Sequence, residues 1–135
     1  MLISPYLSFK GDCEAAFKCY ERCLDGRLGA IVRYEGSPLA NQVPADWQDK
    51  VMHGSVTVGA QELMGGDVAP DAYEPTKGFT LSIQIASVPD AERIFRELAT
   101  GGRVVLPLEK TFWAERFGMF VDRFGIPWMI NCDGA

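Results

Sequence analysis

Histidine is almost missing from this chain, with His53 the single example in 135 residues. A multi-histidine metal centre or a histidine-based zinc finger therefore finds no support. The four cysteines include no CxxC pair, so neither a thioredoxin-type redox motif nor a cysteine-cluster zinc site is suggested. Cys13, Cys19 and Cys23 fall on one predicted helix, with Cys132 far away. Two cysteines a turn apart on a helix are poorly placed for disulfide geometry, so reduced, structural thiols are expected. No apolar run approaches the roughly 20 residues of a membrane span. The start, MLISPYLSF, lacks the charged and long apolar regions of a secretory signal, and a cytoplasmic location is the expectation. Positive charge is also short: the net charge of −5 argues against a nucleic-acid or anionic-membrane partner. No GxGxxG follows a predicted strand, so a nucleotide-type methyl-donor site is not indicated.

What the chain does have is one unit used twice. Residues 6–28 (YLSFKGDCEAAFKCYERCLDGRL) match residues 82–104 (SIQIASVPDAERIFRELATGGRV) at a shift of 76 positions. The shift lays Glu14 on Asp90, Ala15 on Ala91, Glu21 on Glu97, Gly26 on Gly102 and Arg27 on Arg103. Each copy reads strand, turn, helix, glycine stop, strand. The second helix carries one apolar stripe through Ala91, Ile94, Phe95, Leu98 and Ala99. Pro89 suits a first turn, and Gly101-Gly102 ends the helix. A rougher stripe through Ala16, Phe17, Tyr20 and Leu24 marks the first helix, closed by Gly26. Three extended stretches follow each helix, so the chain reads βαβββ twice and predicts an α+β domain. Module one spans residues 3–66, a linker 67–77 and module two 78–131 of a single domain covering 1–135, with Ser37–Lys50 as a loop.

Strand alternation then sorts the faces. Leu7, Phe9, Met52, Val56, Val58, Leu81, Ile83 and Ile85 form the apolar set that must meet the helices. Opposite them stand Tyr6, Ser8, His53, Ser55, Thr57, Thr80, Ser82 and Gln84, polar yet uncharged. Hydroxyls, an amide and an imidazole suit a sheltered ligand surface; an ordinary wet or partner-covered face is the competing reading. Near the C-terminus, KTFWAERFGMFVDRFGIPWMINC mixes aromatic and charged residues. Asp122 to Gly125 reads as a tight structural turn, Trp128 as core, and Trp113, in a loop at a strand end, as a ligand contact or a loop-packing residue.

The paired βαβββ plan resembles the glyoxalase/bleomycin-resistance/dioxygenase group, the vicinal oxygen chelate superfamily, and within it the PhnB-like branch. The resemblance rests on PYLSFKGDCEAAFKCY, DKVMHGSVTVGAQELMGGD and GGRVVLPLEKTFWAERFGMFVDRFGIPWMIN, in that order, over Ile3 to Asn131. It implies two modules rolled into a half-closed mixed sheet around a concave cleft, helices on the outer face, and a homodimer. It also implies a divalent ion held by His, Gln or Glu at four strand positions, here near Ser4–Tyr6, Leu63–Met64, Thr80–Ser82 and Trp128–Ile130. Those windows hold no proper ligand set, and Glu62, beside one of them, is expected to face away. No metal or other cofactor is therefore expected, carboxylate-bound Mg²⁺ or Mn²⁺ being the rival.

The expected function is a small-molecule-binding domain, with the ligand taken by Tyr6, Ser8, His53, Ser55, Thr57, Thr80, Ser82, Gln84 and Trp113. The alternative is an enzyme of the same superfamily, of lyase, isomerase or dioxygenase type. His53 would then serve as general acid or base, the side-chain class able to move a proton near neutral pH. Between binder and enzyme the residues leave the choice open.

Overall fold

The computed structural model describes residues 1–134. The first module contains β1 (Tyr6–Phe9), α1 (Cys13–Cys23), β2 (Arg27–Arg33), β3 (Val51–Val58) and β4 (Gln61–Asp67). The second contains β5 (Leu81–Ile85), α2 (Val88–Ala99), β6 (Arg103–Glu109), β7 (Arg116–Val121) and β8 (Pro127–Cys132). Residues up to Pro75 form one compact unit, and those from Thr76 onward form another. Each unit holds one four-stranded mixed sheet, ordered β1-β4-β3-β2 in the first and β5-β8-β7-β6 in the second. The fold is α+β, built as two βαβββ modules.

Helix packing explains the apolar stripes. Ala91, Ile94 and Leu98 of α2 are buried, and the Phe95 ring meets Phe120 of β7 edge-on at 5.1 Å. On α1, Cys13, Ala16, Phe17, Cys19, Tyr20 and Cys23 are all buried, so the cysteines complete the rough stripe as small apolar residues. The Phe17 ring lies edge-on to Phe9 at 5.7 Å and 6.0 Å from Tyr20. Burying one such phenylalanine stabilises the module by about 2–3 kcal/mol. Beneath it, β4 needs Gly65: a Cβ there would stand 2.6 Å from the Leu7 carbonyl oxygen and 3.0 Å from the Phe17 ring.

The repeat is not uniform at 76 positions. Strands β2 and β6 keep that shift, but the helices match at 75. Ala16, Cys19, Tyr20 and Cys23 take the places of Ala91, Ile94, Phe95 and Leu98, while Ala15 is exposed and Ala91 buried. Three residues separate β1 from α1 and two separate β5 from α2, and the longer second helix absorbs the difference. Closure of α1 also differs from expectation. Asp25, not Gly26, takes the left-handed conformation, at φ 52°. Gly26 is small because a Cβ would come within 2.8 Å of the Thr57 carbonyl.

One buried aspartate ties each module together. Asp67, at the end of β4, accepts from the Gly11 and Cys13 amides through Oδ1 and from the Val51 amide through Oδ2, at 2.9–3.0 Å. One carboxylate thus joins the start of α1, the start of β3 and the end of β4. Asp122 accepts from the Phe124 and Ile126 amides through Oδ1 and from Trp128 Nε1 through Oδ2. Gly125 completes that turn at φ 90°. The turn is structural, and Trp128 is core, 3% exposed. Residues 37–50 contain two short 3₁₀ turns, Ala40–Gln42 and Ala45–Trp47, and Trp47 is buried at 8% exposure.

Candidate functional site on the outer sheet faces

Each sheet turns one face to its helix. The opposite, helix-free face, termed the outer face of that module, is the one expected to line the cleft. In the first module Tyr6 pairs with Met64, and Met64 with Ser55, which sets these three in a row. Tyr6 stacks on His53 at 5.8 Å and 30°, while its hydroxyl donates to the Met52 carbonyl at 3.2 Å. Partial burial, then the nearby Cys13 and Tyr34, push the Tyr6 phenol above its ordinary pKa, so it stays a donor at neutral pH. The His53 imidazole makes no side-chain hydrogen bond among the described residues, and Val32 of β2 stands opposite it. Ser8 pairs with Gly66 on the same face and is half-buried.

Thr57 sits in different surroundings. It lies between Arg27 of β2 and Glu62 of β4, its partners on either side. Cross-strand partners point to one face, so Glu62 shares the outer face instead of turning away, correcting the expectation. Parity counted from Met64, not from Leu63, gives this result. The uncharged surface therefore ends at Ser55, and a charged, exposed rim begins at Thr57.

The outer face of the second module is better defined. Ser82 pairs with Met129 and Met129 with Met119; Gln84 pairs with Asn131 and Asn131 with Phe117. Gln84 Nε2 donates to Ser82 Oγ at 2.7 Å, and Asn131 Nδ2 donates to Gln84 Oε1 at 3.2 Å. Three side chains thus form one continuous polar ladder. Beside it, Trp113 packs against Phe117 at 5.3 Å and against Phe112 at 4.8 Å. Phe112 is 97% exposed and Trp113 54%. The loop bearing them is held by Thr111, whose Oγ1 accepts from the Trp113 and Ala114 amides. Thr80 falls just ahead of β5, outside the strand. Sequence reasoning missed Asn131, Phe117 and both methionines; alternation along β7 and β8 carried the signal.

The divalent ion that the resemblance implies can be tested against these registers. The positions hold Tyr6 beside Met64 and Ser82 beside Met129. A phenol, a hydroxyl and two thioethers are not the carboxylate, imidazole and amide set such ions take. Among the described residues no group of three or more His, Cys, Asp or Glu is placed to hold a metal ion. These residues do not fit the ion.

A profile of the Glyoxalase/Bleomycin resistance protein/Dioxygenase superfamily matches residues 2–130. The chain belongs to this superfamily. It is 34% identical to Protein YjdN of Escherichia coli (strain K12), over 97% of this chain and 95% of that protein. Protein PA1353 from Pseudomonas aeruginosa, solved by crystallography, is 48% identical, with a TM-score of 0.89 and 98% of each chain covered. The PhnB protein from Bacillus cereus, described as a candidate 3-demethylubiquinone-9 3-methyltransferase, shares the fold. Its TM-score is 0.84 at 23% identity, over 98% of this chain and 99% of that one.

Proposed function

We propose that this superfamily member is a PhnB-like small-molecule-binding domain that holds an organic ligand on its outer sheet faces without a metal ion. One observation carries the reading. The second sheet sets a hydrogen-bonded amide and hydroxyl ladder, Ser82–Gln84–Asn131, beside the exposed ring of Trp113 and the half-buried ring of Phe117. Such a surface supplies ring contact and neutral hydrogen bonding together, the combination common in ligand sites. The methyltransferase description of the Bacillus cereus protein is not carried over, since two four-stranded mixed sheets offer no parallel α/β nucleotide site. A homodimer belongs to the same proposal, as does a cytoplasmic setting. Native mass spectrometry of protein purified without chelators, with elemental analysis, tests it. A co-purified organic molecule and no stoichiometric metal is the expected result; a stoichiometric divalent ion would overturn it.

A second reading, an enzyme assisted by His53, draws support from the imidazole lying on the outer face against Tyr6. For that reading His53→Ala abolishes turnover while melting temperature and ligand retention stay the same. Loss of folding in His53→Ala makes the imidazole structural instead.

A further inference from the structure

The outer face of the second sheet has an unequal distribution of chemistry that narrows its ligand, given the binding reading above. Along β5 and β8 it is amide and hydroxyl: Ser82, Gln84 and Asn131. Along β7 it is ring and thioether, Phe117 and Met119, with Met129 between. The ladder spends one Gln84 N–H on Ser82 and one Gln84 lone pair on Asn131. By the valence of these groups, the Ser82 proton, the second Gln84 N–H and the Asn131 carbonyl oxygen remain to meet a ligand. Donors and an acceptor stand side by side, and none is charged.

Charge on the surrounding elements points the same way. Arg116 of β7 alternates to the helix side and pairs with Glu92 of α2 at 3.8 Å. Lys110 pairs with Glu115 at 3.6 Å. Glu109, opposite Phe117 across β6 and β7, puts a carboxylate at the margin of the face. Arg103, opposite Val121, puts a cation at the far end of the same face, four residues along β7 from Phe117. An anionic ligand beside Phe117 and the ladder would therefore lose hydration and meet the nearer carboxylate. We infer that this face takes a flat, uncharged ring whose edge carries adjacent hydrogen-bond donor and acceptor, as in a lactam or cyclic amide. The ring covers Phe117 and the methionines beside Trp113, and the amide edge meets the ladder.

Calorimetry with three probes of one size tests the inference: 2-quinolinone, naphthalene and 2-naphthoate. The lactam is expected to bind about tenfold or more tighter than the hydrocarbon, as one or two good neutral hydrogen bonds imply, and the carboxylate weakest. Gln84→Leu removes the preference for lactam over naphthalene while leaving the naphthalene affinity, and Trp113→Ala weakens all three. Side-chain amide and indole resonances locate the contact and show that each variant is folded. Equal affinity for all three, preference for 2-naphthoate, or no binding by any overturns the inference. The organic molecule retained by the purified protein decides separately whether the chain binds small molecules at all.

Discussion

Asp122 uses both carboxylate oxygens on three donors, and the chemistry of that arrangement is unforgiving. Asn in its place keeps one oxygen for the Phe124 and Ile126 amides but turns an N–H₂ group toward the Trp128 indole N–H. Donor then faces donor in a site 3% exposed. Asp122→Asn is expected to lose about 1–3 kcal/mol of stability, read by urea unfolding, with a shift in Trp128 fluorescence. Cys13 gives a pH signature. Burial raises its thiol pKa first of all, and the Asp67, Asp12 and Glu14 carboxylates push it further up. The folded protein therefore keeps the proton that the unfolded chain loses above about pH 8.5. Stability from this site is complete below that pH and falls as pH climbs toward the raised folded value. The urea midpoint should decline from pH 8 to 10, and less steeply in Cys13→Ala; equal slopes would exclude the thiol as the cause.

Elements were legible wherever one periodicity acted alone. The stripe of α2 and the alternation of β5 follow directly from residue order; β8 alternates as plainly, yet Met129 and Asn131 on its outer face were not read from it. Legibility failed where a single residue was inserted or bulged out. Alignment at 76 positions misplaced Ala15 because the β1–α1 connection is one residue longer than its counterpart. Register shifts between Leu28 and Ile31, and again between Val32 and Arg33, are likewise invisible to a count of alternation. Trp47 was lost inside a proline-containing loop whose local chemistry says turn, while its burial depends on contacts made elsewhere, among them the close approach to Gly11. Capping differs between the helices as well. Ser87 Oγ accepts from the Asp90 amide at 3.3 Å at the start of α2, whereas Asp12 makes no side-chain cap bond to α1. Ser87→Ala should therefore cost about 1 kcal/mol, lowering the melting temperature by a few degrees, as calorimetry would show. An unchanged melting temperature would mean that the 3.3 Å bond is too weak to matter.

At the scale of the whole molecule, the unfinished surface is an edge. Strand β6 stands last in its sheet. It leaves Val104, Val105 and Leu106 between 45% and 47% exposed. Open edges carrying apolar side chains are a liability for a protein that remains alone in solution, and a second copy is the occupant the proposed homodimer supplies. A charge placed there would be buried without a counterion in the dimer but would be solvated in a monomer. Sedimentation at micromolar concentration should give twice the mass of one chain. Val104→Lys combined with Val105→Lys should give a single chain with an unchanged far-ultraviolet circular dichroism spectrum. A double variant that remains dimeric would move the interface away from β6, and a monomeric unsubstituted protein would remove the dimer altogether.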